Sequence, residues 1–360
     1  MKINQENLYK RQIILPEIGL TGQQQMSSSK IAIIGCGGLG SAAAVYLAAS
    51  GVGHIHLIDY DKIDISNLHR QVFYGIDDIG KSKAKILANH ILKISPFVQA
   101  TFNDVPITKL TIDKELNDFP IVLDCTDSLA TKYLLNDFCV ISDKILVYGS
   151  LYKHDGYVAS FNLPSKEKRT ANLRDAFPSI PDEHIPNCAE IGTLNTIVGI
   201  IALMQANEVI KIITKTGAPL INQILIYNIM ENSQFAMKLK NGVTKEQIQK
   251  IYGIEGYFDA RCEIQEDDLL IMAKDLKKRM GDTKLQILSV IDDIHTSLPI
   301  KVDYKIPLSK FDVTKLKLDE NKELVVVCSR GISSYTVTKT IRQQFPKIQV
   351  FSLKNGLDNF

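Results

Sequence analysis

The chain has 360 residues, room for two domains at about 150 residues each. Hydrophobic residues make up 45% and charged residues 23%, a globular balance that excludes a largely disordered or collagen-like chain. With 42 Lys plus Arg against 40 Asp plus Glu, a net charge of +2, there is no general polyanion-seeking field, so neither nucleic acid nor an acidic membrane is an expected partner.

Residues 1–6 lack the apolar core of a signal peptide. The longest apolar run, 197–204, falls well short of the roughly 20 residues of a membrane span, and a cytoplasmic protein is expected. From Lys30 onward, β-rich runs at 31–34, 55–58, 121–123 and 145–148 alternate with helical periods at 41–49, 81–92 and 129–140. That βαβ order predicts a Rossmann-like, doubly wound, mostly parallel α/β sheet. A strand at 157–162, a polar stretch at 164–186, a helix near 195–214 and strands at 223–228 and 234–239 complete a first domain over 1–240. A long loop in a compact domain is more often functional than accidental. Residues 241–261 read as a helical or irregular linker, with the domain boundary between about 240 and 262. A smaller α/β domain over 262–360 follows, with helices at 267–279 and 334–345 and strands at 286–291 and 323–327.

The first strand runs into Gly35-Cys36-Gly37-Gly38-Leu39-Gly40 and then a helix, the context that a Gly-x-Gly-x-x-Gly fingerprint requires. Glycines let the backbone approach a phosphate, and the helix N-terminus offers free amides and positive dipole. Asp59 closes the next strand about 20 residues on, where a carboxylate can accept from ribose hydroxyls. Alone, the pattern means a nucleotide, most often a redox dinucleotide. The loop Asp59 to Gln71, however, concentrates acids, an amide and an arginine, and Lys83 lies on the following helix. A nicotinamide site needs few cations, whereas a triphosphate needs several plus a carboxylate for magnesium. Asp124-Cys125-Thr126-Asp127 ends another strand at the same carboxyl edge and can supply that carboxylate.

Together, Arg11-Gln12-Ile13-Ile14-Leu15, the glycine loop, Asp59-x-Asp61, Ser66-Asn67-Leu68-x-Arg70-Gln71, Lys83 and Asp124-Cys125-Thr126-Asp127 resemble the ubiquitin-activating (E1-like) superfamily. The chain is most similar there to bacterial sulfur-carrier adenylyltransferases of the ThiF and MoeB type, over about residues 8–240. The resemblance implies that Gly35, Gly37, Gly38 and Gly40 form the nucleotide loop, with Gly38 near the nucleotide backbone. It implies that Asp59 holds the ribose, that Asn67, Arg70, Gln71 and Lys83 bind phosphates, and that Asp127 holds magnesium. Arg11 would reach the ATP of a second subunit, which implies a homodimer with composite sites. The implied chemistry activates the C-terminal glycine carboxylate of a small ubiquitin-like carrier against the α-phosphate of ATP, by positioning and charge neutralisation through Arg70, Lys83 and magnesium.

Cysteines stand at 36, 125, 139, 188, 262 and 328, no two of them three residues apart, so no Cys-x-x-Cys knuckle or redox pair forms locally. Cys188, between the polar loop and the next helix, is a candidate acceptor or resolving thiol. Cys36, Cys125, Cys139 and Cys262 read as packing residues. Relatives carry two Cys-x-x-Cys pairs for structural zinc, one in the crossover loop and one after the last strands. Here the first place reads Lys168-Arg169-Thr170-Ala171-Asn172-Leu173-Arg174 and residues 242–253 hold no cysteine, so no zinc is expected.

In the second domain, strand 324–327 delivers Cys328-Ser329-Arg330-Gly331-Ile332-Ser333-Ser334 into a helix. Loop amides and the helix dipole there stabilise a thiolate or persulfide. Ser334 stands where a tyrosine phosphatase would have arginine. The loop and the ending Asn355-Gly356-Leu357-Asp358-Asn359-Phe360 resemble a rhodanese-like domain, which implies a persulfide on Cys328 supplied by a donor such as a cysteine desulfurase. The expected function is therefore ATP-dependent adenylation of a sulfur carrier, serving molybdopterin or thiamine synthesis with the fused layout favouring molybdopterin, followed by sulfur transfer. The alternatives are a nicotinamide-dependent oxidoreductase and a non-catalytic scaffold for a ubiquitin-like protein.

Overall fold

The computed structural model describes residues 4–165, 169–179, 192–255, 257, 267–291, 298–316, 318–329, 331–357 and 360. The chain forms two compact units, with the change-over after Tyr257.

The first unit is built on an eight-stranded sheet in the order β3-β2-β1-β4-β5-β6-β7-β8. Its strands are β1 (Lys30–Ile34), β2 (His54–Ile58), β3 (Gln99–Asn103), β4 (Ile121–Asp124), β5 (Ile145–Tyr152), β6 (Asp155–Phe161), β7 (Gln223–Asn228) and β8 (Ser233–Lys238). The first five are mutually parallel and the last three antiparallel. Central strands buried on both faces are mostly apolar, and β1 is nearly so, while β2 carries His54 and the buried His56, the latter hydrogen-bonded to Thr101 and Glu115. Alternation by two sends Ile31 and Ile33 to one core, with Leu39, Ala43 and Leu47 of helix Gly38–Ala49 and Ile201 of helix Asn195–Thr214. Ala32 and Ile34 enter the other core, with Leu134, Leu135 and Phe138 of helix Leu129–Ile141. The chain winds outward from β1 to β3 and then returns to β4 beside β1, so the carboxyl ends of β1, β2 and β4 meet at the switch point where such sheets bind ligands.

The sequence reading passed over β3, whose Gln-Ala-Thr-Phe-Asn carries too little apolar pattern to announce a strand. Helix Asn195–Thr214 is long and apolar enough to cross a membrane by composition, but here it is a core helix. Ile197, Val198, Ile201, Ala202 and Val209 are buried against the sheet, and Gln205 donates to the Asp124 carbonyl.

The division between the units falls inside the stretch read as a linker, and part of that stretch is helical. Helix Lys245–Ile254 belongs to the first unit, opened by a Thr244/Gln247 capping box and seated on helix Leu129–Ile141. Ile248 is fully buried, and Tyr257 joins the same core. Asp175 ties this region to the crossover segment. One of its oxygens accepts from the amides of Gly242 (2.7 Å) and Val243 (2.9 Å). The other accepts from the backbone and side-chain nitrogens of Asn172, each at 2.9 Å.

The second unit is a five-stranded parallel sheet in the order β11-β10-β12-β13-β9. Its strands are β9 (Leu270–Ile271), β10 (Leu285–Ser289), β11 (Tyr304–Lys305), β12 (Glu323–Val327) and β13 (Val350–Leu353). Region 267–279, read as one helix, is a turn at Asp267–Leu269, then β9, then helix Ala273–Lys278. β12, with Leu324 to Val327 fully buried, sits in the middle and points its carboxyl end at helix Ile332–Gln344.

Candidate active site

At the end of β1 the chain turns through Gly35 at φ +88°, where a Cβ would lie 2.7 Å from the Cys125 carbonyl oxygen. A Cβ on Gly40 would lie 1.8 Å from the Gly35 carbonyl, so the loop and its helix can close together only with glycine. Gly37 precedes the first turn of helix Gly38–Ala49 and leaves its amides without a side-chain cap, facing outward for an anion. Gly38 is overlain by Val198 and the Arg70 carbonyl, and Gly37 by the Gln71 amide nitrogen.

Asp59 lies beside this loop, nearly buried. Its Oδ2 accepts from the Cys36 amide at 2.6 Å and its Oδ1 from the Asp61 amide at 2.8 Å. Burial raises its carboxyl to about 6, with Asp61 adding to the rise and Lys83 and the two amides opposing it. Lys83 opens helix Lys83–Ile94 behind the Ser82 cap, and its buried ammonium meets the Asp61 carboxylate at 2.8 Å. The Tyr74 hydroxyl donates to the Cys36 carbonyl at 2.6 Å and so pins the loop from below.

The 3-10 turn Ile65–Asn67, capped by Asp64, carries Asn67 and leads to Arg70, whose Nη1 donates to the Ser66 carbonyl at 3.1 Å. The Gln71 backbone amide donates to the Asn67 carbonyl, and its buried side-chain Oε1 has no hydrogen-bond partner among the described residues.

Asp127 stands exposed in the turn after β4. That turn is built from within: Asp124 accepts from the Thr126 amide at 3.0 Å and meets the Lys132 ammonium at 3.1 Å. Lys132 also donates to the Gly149 carbonyl at 2.7 Å. Burial works against the Lys132 charge, but Asp124 and Tyr148 outweigh it and hold its pKa up. The sequence reading missed Lys132; its one signal was a lysine on an otherwise apolar helix face.

The structure thus gathers Gly35, Gly37, Gly38, Gly40, Asp59, Gln71 and Lys83 into one cluster, with Asn67 and Arg70 on the loop that joins them. Arg11 is exposed on helix Gln5–Ile13 and makes no hydrogen bond or ion pair to that cluster among the described residues. Cys188 and Cys262 lie outside the described residues. Burial pushes the Cys36, Cys125 and Cys139 thiols up, which suits packing rather than nucleophilic roles.

The second unit holds a separate site. Cys328 follows β12 and its sulfur accepts from the amides of Gly331 (3.1 Å) and Ser334 (3.3 Å). The thiol donates to the Ser334 hydroxyl at 3.3 Å, which in turn meets the Ser352 hydroxyl at 2.8 Å. On deprotonation the Ser334 hydroxyl can turn and donate instead, giving the sulfur anion three donors. Gly331 sits at φ +81°, where a Cβ would crowd the Asn355 and Gly356 amides at 2.8 Å. The Leu357 amide donates to the Cys328 carbonyl at 2.9 Å, so the segment Asn355-Gly356-Leu357 closes over the loop. Arg330 lies outside the described residues.

Fold and first site together define a doubly wound nucleotide-binding protein of the ubiquitin-activating superfamily. The family model described as ThiF family matches residues 9–247. The chain belongs to the ThiF family. It is 30% identical to a Mycobacterium tuberculosis protein named probable adenylyltransferase/sulfurtransferase MoeZ, over 93% of this chain and 88% of that one. It is 34% identical to the sulfur carrier protein adenylyltransferase of Thermus thermophilus, over 62% of this chain and 84% of that one. The crystal structure of E. coli MccB with ATP shares the fold, with a TM-score of 0.58 and 23% identity over 66% of this chain and 72% of that one.

Proposed function

We propose that the chain is an ATP-dependent adenylyltransferase for a ubiquitin-like sulfur carrier, and that its second unit supplies the sulfur. The observation that carries the first half is the glycine loop itself: a helix N-terminus without a side-chain cap, the Gln71 amide nitrogen against Gly37, and a buried Lys83 ammonium on the next helix. Redox dinucleotides use the same turn but have no need of the cations that follow it. A nicotinamide reading loses on that ground.

In this reading the loop amides, Arg70, Lys83 and Asn67 hold the triphosphate and Asp59 the ribose. Asp127 holds magnesium, which supplies neutralisation of phosphate charge; one or two protein carboxylates suffice for an ion that keeps its phosphate and water ligands. A carboxylate oxygen of the carrier attacks the α-phosphorus, the bond to the β-phosphate breaks, and pyrophosphate leaves. The protein's part is alignment and charge stabilisation, with no protein nucleophile. Cys328, loaded as a persulfide by a sulfane-sulfur donor such as a cysteine desulfurase, then attacks the acyl carbon and AMP leaves. A second thiol, for which Cys188 is the candidate, cleaves the resulting acyl disulfide. The carrier departs as a thiocarboxylate, and a cysteine disulfide remains for an external reductant to reopen. The rhodanese-like reading of the second unit is supported by the two amides that donate to the Cys328 sulfur and by the Ser334 hydroxyl beside it. The working form is a cytoplasmic homodimer with Arg11 acting across the interface and no structural zinc.

The test is carrier-dependent exchange of labelled pyrophosphate into ATP, followed by mass spectrometry of the carrier. Molybdopterin-type and thiamine-type carriers are run side by side. Exchange with either, abolished in Asp127→Ala, is the expected outcome. Binding of NAD with no exchange on any Gly-Gly carrier overturns the reading, and carrier binding without exchange leaves only a scaffold.

A further inference from the structure

Asp61 has no part in the chemistry above, yet it touches both halves of the nucleotide site. Its amide donates to Asp59 Oδ1 at 2.8 Å, its carbonyl accepts from the Lys83 amide at 3.1 Å, and its carboxylate meets the Lys83 ammonium at 2.8 Å. The two sides of that ion pair are unlike. The Lys83 side chain is 6% exposed and that of Asp61 is 50% exposed. The ammonium sits at the first turn of a helix and is almost wholly covered, with the half-exposed Asp61 at its side. The carboxylate can swing to water at little cost, because half of it is already hydrated.

We propose that Asp61 is a placeholder for the nucleotide's phosphates: a positioning residue that keeps the buried Lys83 ammonium paired and in place while the site is empty, and surrenders it when polyphosphate arrives. The inference rests on the nucleotide reading given above. A buried cation with no anion costs far more than one with a hydrated partner, so the free protein needs such a carboxylate. A polyphosphate is the stronger anion and takes the ammonium over, while the backbone bonds of residue 61 to Asp59 and Lys83 persist and keep the ribose and phosphate ends in register.

A placeholder competes with the ligand it stands for. Asp61→Asn keeps the backbone bonds and removes the charge, so it is expected to bind ATP about five-fold tighter than wild type, the scale of one partly exposed ion pair. Binding of a non-hydrolysable ATP analogue is measured by calorimetry for wild type, Asp61→Asn and Asp61→Glu, with adenosine as the phosphate-free control. The gain should be absent with adenosine, absent when Lys83 is already alanine, and reversed in Asp61→Glu. Weaker ATP binding in Asp61→Asn would make Asp61 a direct ligand of nucleotide or metal and overturn the proposal. So would an equal gain with adenosine, which would mean a general loosening of the loop. Wild-type protein that binds no ATP would instead overturn the nucleotide reading itself, an outcome separable from either.

Discussion

Arg174 forks onto Asp137 inside the first unit, with Nε 2.8 Å from Oδ1 and Nη2 2.7 Å from Oδ2, both side chains buried. The Tyr257 hydroxyl donates to the same carboxylate, and Arg174 Nη1 reaches the Pro178 carbonyl at 2.9 Å. One aspartate on helix Leu129–Ile141 therefore anchors the crossover segment and the last residue of the first unit together. Removing one partner of a buried pair strands the other charge, at about 3–5 kcal/mol. Asp137→Ala is expected to lose about that much in urea unfolding of the first unit, and Tyr257→Phe far less, about 1 kcal/mol. Equal losses in the two variants would contradict this ranking.

The raised carboxyl of Asp59 makes stability depend on pH. Its folded value of about 6 lies above the ordinary 3.8, so its contribution is fully present below 3.8 and is lost as pH rises through about 6. The stability of wild type relative to Asp59→Asn should fall between pH 4 and pH 7, by an amount on the order of 3 kcal/mol. Thermal unfolding of both proteins across that range checks the sign. A difference that stays flat or grows with pH contradicts it.

In the proposed reaction Cys328 should separate the two half-reactions. Cys328→Ala should leave pyrophosphate exchange near wild type and abolish formation of the carrier thiocarboxylate, read as a mass shift. Ser334→Ala keeps the thiol but removes a donor to its anion, and a charge-assisted hydrogen bond is worth about 1.5–3 kcal/mol. Sulfur transfer in that variant should slow by about ten-fold or more, with adenylation untouched. An undiminished thiocarboxylate rate in Cys328→Ala means that the sulfur comes from elsewhere.

Mixing Arg11→Ala with Lys83→Ala protein should restore part of the exchange activity through hybrid dimers, if Arg11 serves the neighbouring subunit. Chelation should leave the unfolding temperature unchanged, because the chain has no Cys-x-x-Cys pair to hold zinc. Stoichiometric zinc in elemental analysis, or a fully active monomer, contradicts this.

The nucleotide loop was legible in the sequence because its glycines are demanded by backbone geometry, and such demands are local in the chain. The same holds for the loop from Cys328 to Ser334, delivered by an apolar strand into a helix. What escaped was non-local. Lys132 gains meaning only from Asp124 and Gly149, which lie on neighbouring strands. Ser334 looked like a mere non-arginine until Ser352 and Cys328 closed around it. Helix Lys245–Ile254 read as linker because its exposed side is polar, while Ile248 finds its core on a helix more than a hundred residues earlier. Asp61 was visible as half of an Asp-x-Asp pair, but its partner Lys83 became apparent only in three dimensions.

Asp175 and Gly242 are 67 residues apart in the chain. The carboxylate bridge between them joins two regions that relatives are expected to fasten with a metal, and it sets an order of events during synthesis. Strands β1 to β5 can pair as they emerge, since each finds its neighbour within the preceding segment or the sheet already formed, although the face that holds Ile31 and Ile33 waits for helix Asn195–Thr214. The crossover segment cannot be fastened to residues 242–243 until these have left the ribosome, and closing so long a loop is slow compared with local folding. Until that moment it is an open seam of the first unit, and any chaperone or protease that surveys the nascent chain meets it there.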